Sequence, residues 1–92
     1  MGFLERVPPQ NLEAERSVLG GILLENQAMP NVMEILQDED FYRDAHRKIY
    51  QAMVDLSERR EPVDLITLTE EVNRKGALHA VGGAVYLAAL AD

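Results

Sequence analysis

Few side chains in this chain of 92 residues could carry out chemistry. His46 lies close to Asp40 and Asp44 in the sequence, and imidazole and carboxylate groups together can bind a metal ion. The second histidine, His79, is distant in sequence, so this group offers too few ligands for zinc. We therefore interpret His46 as a surface or half-buried residue of a helix.

Nucleophilic catalysis also lacks the residues that it needs. The chain has no cysteine, which excludes disulfides, thiolate metal ligands and a thiol nucleophile. No serine has a histidine and an acid at a familiar spacing. The sequence therefore predicts no catalytic, cofactor-binding or metal-binding residue, and we expect that this chain is not an enzyme.

Two glycine pairs are the remaining candidates for a binding site. Gly82-Gly83 precedes an apolar segment and could place helix amides around an anion, but it lacks the flanking residues of a phosphate-binding loop. We interpret this pair as a tight helix entry with positive φ. Gly20-Gly21 lies inside a predicted helix, where each glycine costs about 1 kcal/mol relative to alanine. We expect another backbone to approach closely there.

The charge balance indicates the kind of partner. Sixteen acidic residues outnumber nine basic ones, which gives a net charge of −7, whereas a domain that binds a phosphate backbone is usually basic. Arg43, Arg47 and Lys48 form a basic ridge, which we interpret as a solvated face paired with nearby acids. We expect basic protein partners and no direct nucleic-acid contact. A small helical nucleic-acid-binding module is the alternative.

The elements that position these residues are predicted to be helical throughout. Pro8-Pro9 fixes φ and removes backbone donors, which predicts an extended N-terminal arm over residues 1–11. Residues 12–92 are predicted to form an all-α, compact bundle of five to six short helices with no sheet. The predicted segments are helices over 12–25, 26–36, 44–60, 64–76 and 84–91, an acidic loop at 37–40 and a compact turn at 78–83.

Caps and apolar spacing define these helices. The predicted N-caps are Asn11, Asn26, Asp44 and Asp64, and the predicted stop is Gly76. The apolar faces include Val18, Leu19, Ile22 and Leu23, then Met29, Val32, Met33 and Leu36, then Ala45, Ile49, Ala52, Met53 and Leu56, then Leu65, Leu68 and Val72. The predicted ion pairs of the fourth helix are Glu70–Arg74 and Glu71–Lys75.

The two ends of the chain suggest its context. No apolar run approaches the roughly 18 residues of a membrane span, and no signal peptide is recognisable, so we expect a cytoplasmic protein. The last helix carries Tyr86 and Leu90 but reaches Asp92 without a stop signal. We therefore expect a fragment of a longer protein.

Four segments, in this order, resemble the N-terminal domain of bacterial replicative helicases of the DnaB type. They are VPPQNLEAERSVLGG at 7–21, DFYR and AHRKIY within 40–50, PVDLITL at 62–68, and VGG followed by YLA within 81–88. They extend over nearly the whole chain from Arg6 onward, and four segments in register are highly specific.

The resemblance implies a helical collar domain, truncated before a linker hairpin and an ATPase domain that would hold ATP and Mg²⁺. In that family six subunits, a trimer of dimers, form a ring that unwinds duplex DNA with ATP, and the collar binds primase. The expected partners are therefore primase, other copies of the helicase and, as a further candidate, a helicase loader. The fragment itself is expected neither to hydrolyse ATP nor to unwind DNA.

Three residues are candidate partner contacts. Glu13 and Glu15 would present negative charge on the first helix to a basic region of primase. Tyr86 is an aromatic residue with one polar end, a type that is enriched at interfaces. The alternative for Tyr86 is a tyrosine of the core.

Overall fold

The computed structural model describes residues 11–92, and the predicted arm lies outside them except for Asn11. Within this range the chain is all-helical and has no strand, which confirms the predicted fold class. The α-helices are α1 (Leu12–Leu24), α2 (Met29–Ile35), α3 (Asp44–Glu58), α4 (Leu65–Arg74), α5 (Leu78–Val81) and α6 (Gly83–Leu90). Two 3₁₀ turns, Asn26–Ala28 and Asp38–Asp40, connect α1 to α2 and α2 to α3.

Helix α3 lies at the centre of the bundle and contacts α1, α2, α4 and α5. Ile49, Ala52, Met53 and Leu56 recur every three or four residues, and all four are buried, as the spacing predicts. Phe41, just before α3, is also buried, and its ring centroid lies 5.1 Å from that of Tyr50. Burial of these side chains holds the surrounding helices in place.

Helices α1 and α6 meet at Gly20. A Cβ atom on Gly20 would overlap the carbonyl oxygen of Leu90 and lie 3.2 Å from its carbonyl carbon. The predicted close approach of a backbone is therefore confirmed at Gly20. It is wrong for Gly21, which is exposed and where an added Cβ would meet no atom within 4 Å.

The ends of α4 follow the predicted chemistry. The Asp64 carboxylate accepts a hydrogen bond from the Thr67 amide at 2.8 Å, and the Thr67 hydroxyl accepts one from the Asp64 amide at 3.0 Å. At the other end Gly76 has φ +74°, and the amides of Gly76 and Ala77 donate to carbonyls of the last turn at 2.9 and 3.0 Å. This is the Schellman arrangement, in which glycine avoids the steric cost of positive φ.

Helix α3 ends in the same way, but with an arginine in the left-handed position. Arg60 has φ +62°, and the amides of Arg60 and Glu61 donate to the carbonyls of Ser57 and Leu56, both at 2.9 Å. For a residue with a Cβ atom this conformation is unfavourable by about 1–2 kcal/mol. The end of α3 is therefore locally strained.

Two predicted N-caps differ from the structure, and a third lacks its hydrogen bond. Asn11 is the N-cap of α1, as predicted, but its side chain makes no capping hydrogen bond, and Asn26 begins a 3₁₀ turn rather than α2. Arg43, not Asp44, is the N-cap of α3, and the Asp44 carboxylate accepts instead from Lys48 Nζ at 2.5 Å. The backbone just before α3 donates to Glu15 of α1, a contact between distant parts of the chain.

The segment 78–83 is more helical than the predicted turn. It forms α5 and the first residue of α6, and Gly82 between them has φ +110°. A Cβ atom on Gly82 would lie 2.9 Å from Cβ of Tyr86. The predicted structural role of Gly82-Gly83 is confirmed, because both residues have positive φ where the chain turns into α6.

The predicted ion pairs Glu70–Arg74 and Glu71–Lys75 are replaced by one other pair within α4, Glu71–Arg74, and by two tertiary pairs. Glu71 is buried and accepts from Arg59 of α3's end at 2.8 Å and from Arg74 at 2.6 Å. Hydrogen bonds from Arg59 and then from Arg74 lower the pKa of the Glu71 carboxyl to about 2. Lys75 pairs with Asp55 of α3 instead of Glu71. Spacing within one helix does not reveal that a neighbouring helix offers a better partner.

Candidate docking surface

Glu15 lies on the buried face of α1, one turn before Leu19, and is only 3% exposed. Its carboxylate accepts a hydrogen bond from the Tyr42 amide at 2.6 Å and makes a longer contact of 3.4 Å with the Arg43 amide. It also lies 2.8 Å from Nδ1 of His46. One buried acid therefore joins α1 to the start of α3, and its oxygens are compensated by donors.

His46 is fully buried, in the same register of α3 as Ile49 and Met53. Nδ1 contacts Glu15, and Nε2 lies 2.6 Å from the hydroxyl oxygen of Tyr86. Burial lowers the pKa of His46, and the hydrogen bond that the ring makes to the Glu15 carboxylate opposes this effect without cancelling it. The neutral imidazole is therefore favoured in the folded protein.

Tyr86 on α6 completes this polar network and reaches the surface. The residue is half-buried, and its ring lies nearly parallel to that of His46, with an angle of 14° between the planes and 6.0 Å between the centroids. The absence of a side chain on Gly82 leaves room for the tyrosine. We call Glu15, His46 and Tyr86 the buried polar network, because it connects α1, α3 and α6.

The guanidinium of Arg43 lies over the Tyr86 ring, 5.3 Å from its centroid. Among residues 11–92, no carboxylate lies within 4.0 Å of this guanidinium. Tyr42, adjacent in sequence, is 60% exposed. We call Tyr42, Arg43 and Tyr86 the docking surface, since it combines exposed aromatic area with an arginine.

The three predicted contact residues are thus in different environments. Glu13 is exposed, with its nearest cation, Arg16, at 3.6 Å. Tyr86 fits both interpretations, since its hydroxyl bonds to the buried His46 and the residue as a whole is partly exposed. Glu15 does not present its carboxylate at the surface, which corrects its placement, because all its contacts are internal. Contact of any of the three with a partner stays a prediction.

The interpretation of His46 as a surface or half-buried residue is wrong, because its side chain is fully buried. The basic ridge is exposed and Lys48 pairs with Asp44, as predicted, but the guanidinium of Arg43 lies over Tyr86. A sequence signal for His46 exists: positions 46, 49, 53 and 56 continue the apolar spacing of α3. Glu15 likewise continues the spacing of Leu19 and Ile22. Two polar residues on buried faces of different helices indicate an internal pair.

No three histidine, aspartate or glutamate side chains among residues 11–92 come together as metal ligands. No helix in that range has both the length and the apolar character needed to cross a bilayer.

Fold and site together define the N-terminal helical domain of a replicative helicase. The crystal structure of the N-terminal domain of DnaB helicase from Mycobacterium tuberculosis matches with a TM-score of 0.86 and 50% sequence identity, covering 91% of this chain and 58% of that chain. A family model described as DnaB-like helicase N terminal domain matches residues 7–92. The chain belongs to this family.

Curated relatives agree with this assignment. The chain is 50% identical over 90 residues to the replicative DNA helicase DnaB of Geobacillus stearothermophilus, covering 98% of this chain and 20% of the relative. It is 51% identical over 82 residues to the replicative DNA helicase DnaB of Mycobacterium leprae (strain TN), covering 89% of this chain and 14% of the relative. The chain therefore spans a fifth or less of the length of these relatives.

Proposed function

We propose that this chain is the assembly and docking domain of a ring-shaped replicative helicase and that it recruits primase through Glu13 and the docking surface. Tyr86 carries the proposal: the residue is partly exposed, its hydroxyl is bound by His46, and Arg43 lies over the face of its ring. Immobilising a side chain on binding has an entropic cost, which is reduced where the side chain is already held. Tyrosine and arginine are also enriched among residues that dominate binding energy.

Charge supports a basic partner. The side chain of Glu13 is 88% exposed, and the chain carries a net charge of −7. Such a field attracts a basic protein region at long range and repels a phosphate backbone. The contact made by Glu13 would steer the partner, and the docking surface would supply most of the binding energy.

We further propose that the other functions of the helicase lie in the parent protein. The relatives are at least five times longer than the matched part, which leaves room for a motor domain with ATP and Mg²⁺. Assembly of six copies as a trimer of dimers, unwinding of DNA and contact with a helicase loader are proposals for that full-length protein. The contribution of this chain is to join subunits and partners.

Calorimetric titration of the 92-residue chain with the C-terminal region of primase tests the docking role. Glu13→Lys is expected to weaken binding about 2- to 5-fold, because exposed charge pairs contribute roughly 0.2–1 kcal/mol. Tyr86→Ala is expected to weaken it about 30-fold or more, which corresponds to a dominant interface residue. Unchanged affinity in both variants would remove these residues from the interface.

Two controls separate local contact from other effects. Glu34 is exposed on α2, so Glu34→Lys makes the same charge change elsewhere and is expected to have the smaller effect. Fluorescence anisotropy with single-stranded DNA tests the alternative function, a nucleic-acid-binding module. Micromolar affinity with a steep dependence on salt would favour that alternative, whereas we expect no binding.

A further inference from the structure

The hydrogen bonds around His46 have one consistent direction. An ionised carboxylate only accepts, so Nδ1 of the neutral ring carries the proton and donates to Glu15 at 2.8 Å. Nε2 is then an acceptor, and the Tyr86 hydroxyl donates to it at 2.6 Å. A directed chain of donors therefore runs from a residue of the docking surface to an acid in the interior. The same acid accepts from the backbone of Tyr42 at 2.6 Å.

We propose that Glu15 and His46 are positioning residues that hold Tyr86 and the Tyr42–Arg43 backbone in one arrangement, and that a proton on His46 releases this arrangement and weakens docking. Neither side chain reaches the surface, with exposures of 3% and 0%, so both act through the residues that they bind. This inference rests on the proposed docking role of Tyr86 and adds that the protonation state of His46 regulates it.

Protonation changes the network at a single atom. When Nε2 gains a proton it becomes a donor, so the Tyr86 hydroxyl has to turn its own proton away and accept instead. The charged and titratable groups that face the ring are Glu15 and Arg16 of α1, Arg43 before α3 and Tyr86 of α6. Two of these are cations, and Glu15 alone compensates a buried imidazolium. The protonated ring therefore disfavours the arrangement in which Tyr86 is held.

The sign of the effect follows from the direction of the pKa shift. The pKa of His46 is lowered from 6.5 in the folded protein, chiefly by burial, so the unfolded chain takes up the proton at higher pH than the folded one. Stability from the neutral ring is present above about pH 6.5 and decreases as the pH falls towards the folded pKa. Binding that depends on the same arrangement decreases in the same direction.

The test measures binding and structure over the same pH range in the 92-residue chain. Titration with the C-terminal region of primase is expected to give about 5-fold weaker affinity at about pH 5.5 than at about pH 7.5, the range in which histidines titrate. In parallel, NMR follows the His46 ring, the Tyr42 amide and the Tyr86 ring. The chemical shifts of all three groups are expected to change with the same pH midpoint.

Three variants distinguish positioning from general stabilisation. In His46→Asn the amide nitrogen can keep the bond to Glu15 but leaves nothing at the place of Nε2, and Tyr86→Phe removes the hydroxyl from the other side. Both are expected to lose the pH dependence of binding. His79 is the other histidine and is exposed, so His79→Gln is the matched control and is expected to keep the native pH profile. If His46→Asn does not fold, Tyr86→Phe still decides the question.

The outcomes separate this inference from the docking proposal. Native affinity that is flat over the pH range would overturn the inference while leaving docking intact. Loss of pH dependence in His79→Gln but not in Tyr86→Phe would also overturn it. If the native chain does not bind at either pH, the docking role is wrong, and the positioning role is judged by NMR alone. If the Tyr42 and Tyr86 signals do not change as His46 titrates, the positioning role is then excluded.

Discussion

Gly20 and Gly21 are neighbours in α1, and the same substitution should have opposite effects at the two positions. Gly21 is exposed, and a Cβ atom there meets nothing within 4 Å. Gly21→Ala should therefore raise the free energy of unfolding by about 0.4–1 kcal/mol, because alanine restricts the unfolded chain and suits a helix. For a chain of this size that corresponds to a rise in melting temperature of roughly 2–5 °C.

Gly20→Ala receives the same benefit but loses the contact between α1 and α6. Its new methyl group would overlap the carbonyl oxygen of Leu90, and backbone cannot move aside as a flexible side chain does. Inserting a methyl into a well-packed site costs about 1–3 kcal/mol, and more where a backbone has to shift. After subtracting the helix benefit, we expect a net loss of about 1–2 kcal/mol.

Thermal and urea unfolding, followed by circular dichroism at the helix band, measure the difference between the two variants. The expected gap is about 1.5–3 kcal/mol, or roughly 7–15 °C in melting temperature. An equal gain in stability in Gly20→Ala and Gly21→Ala would refute the close approach of α6 to α1. An equal loss in both would instead mean that helix preference is outweighed at both sites.

Three further predictions concern the core, a strained turn and a buried acid. Leu68→Ala should lower the free energy of unfolding by about 2–5 kcal/mol in urea titration, because Leu68 is fully buried; an effect below about 1 kcal/mol would contradict this. Arg60→Gly should raise the free energy of unfolding by up to about 1 kcal/mol, and with it the melting temperature, because glycine adopts the positive φ of 62° without steric cost. A lower melting temperature would mean that the arginine side chain stabilises the turn. The pKa of Glu71 is lowered to about 2 by Arg59 and Arg74, so its stabilising effect is present above about pH 4.5 and is lost as the pH falls towards 2. Glu71→Gln should therefore be less stable than the native chain at about pH 7, with the difference shrinking towards about pH 2, and a constant difference would rule out this linkage.

The candidate site was only partly predictable from the sequence. Tyr86 could be selected because its residue type is common at interfaces, and Glu13 because it adds charge to the first turn of α1. The internal position of Glu15 was missed, since Glu13 and Glu15 look alike as acids near a helix N-terminus. Arg43 was missed because its neighbours in sequence suggested ion pairs, whereas its neighbour in space is an aromatic ring.

Local chemistry was sufficient for the helices. Apolar spacing, the Asp64 cap and the Gly76 stop depend on residues within one or two turns, so the all-α fold and most helix faces follow from the sequence. Only the tertiary structure decided which polar groups meet. Glu15 and His46 are 31 residues apart and His46 and Tyr86 are 40 apart, so their hydrogen bonds depend on how three helices pack. Burial then makes those bonds necessary, because an unpaired polar group in that interior would be costly.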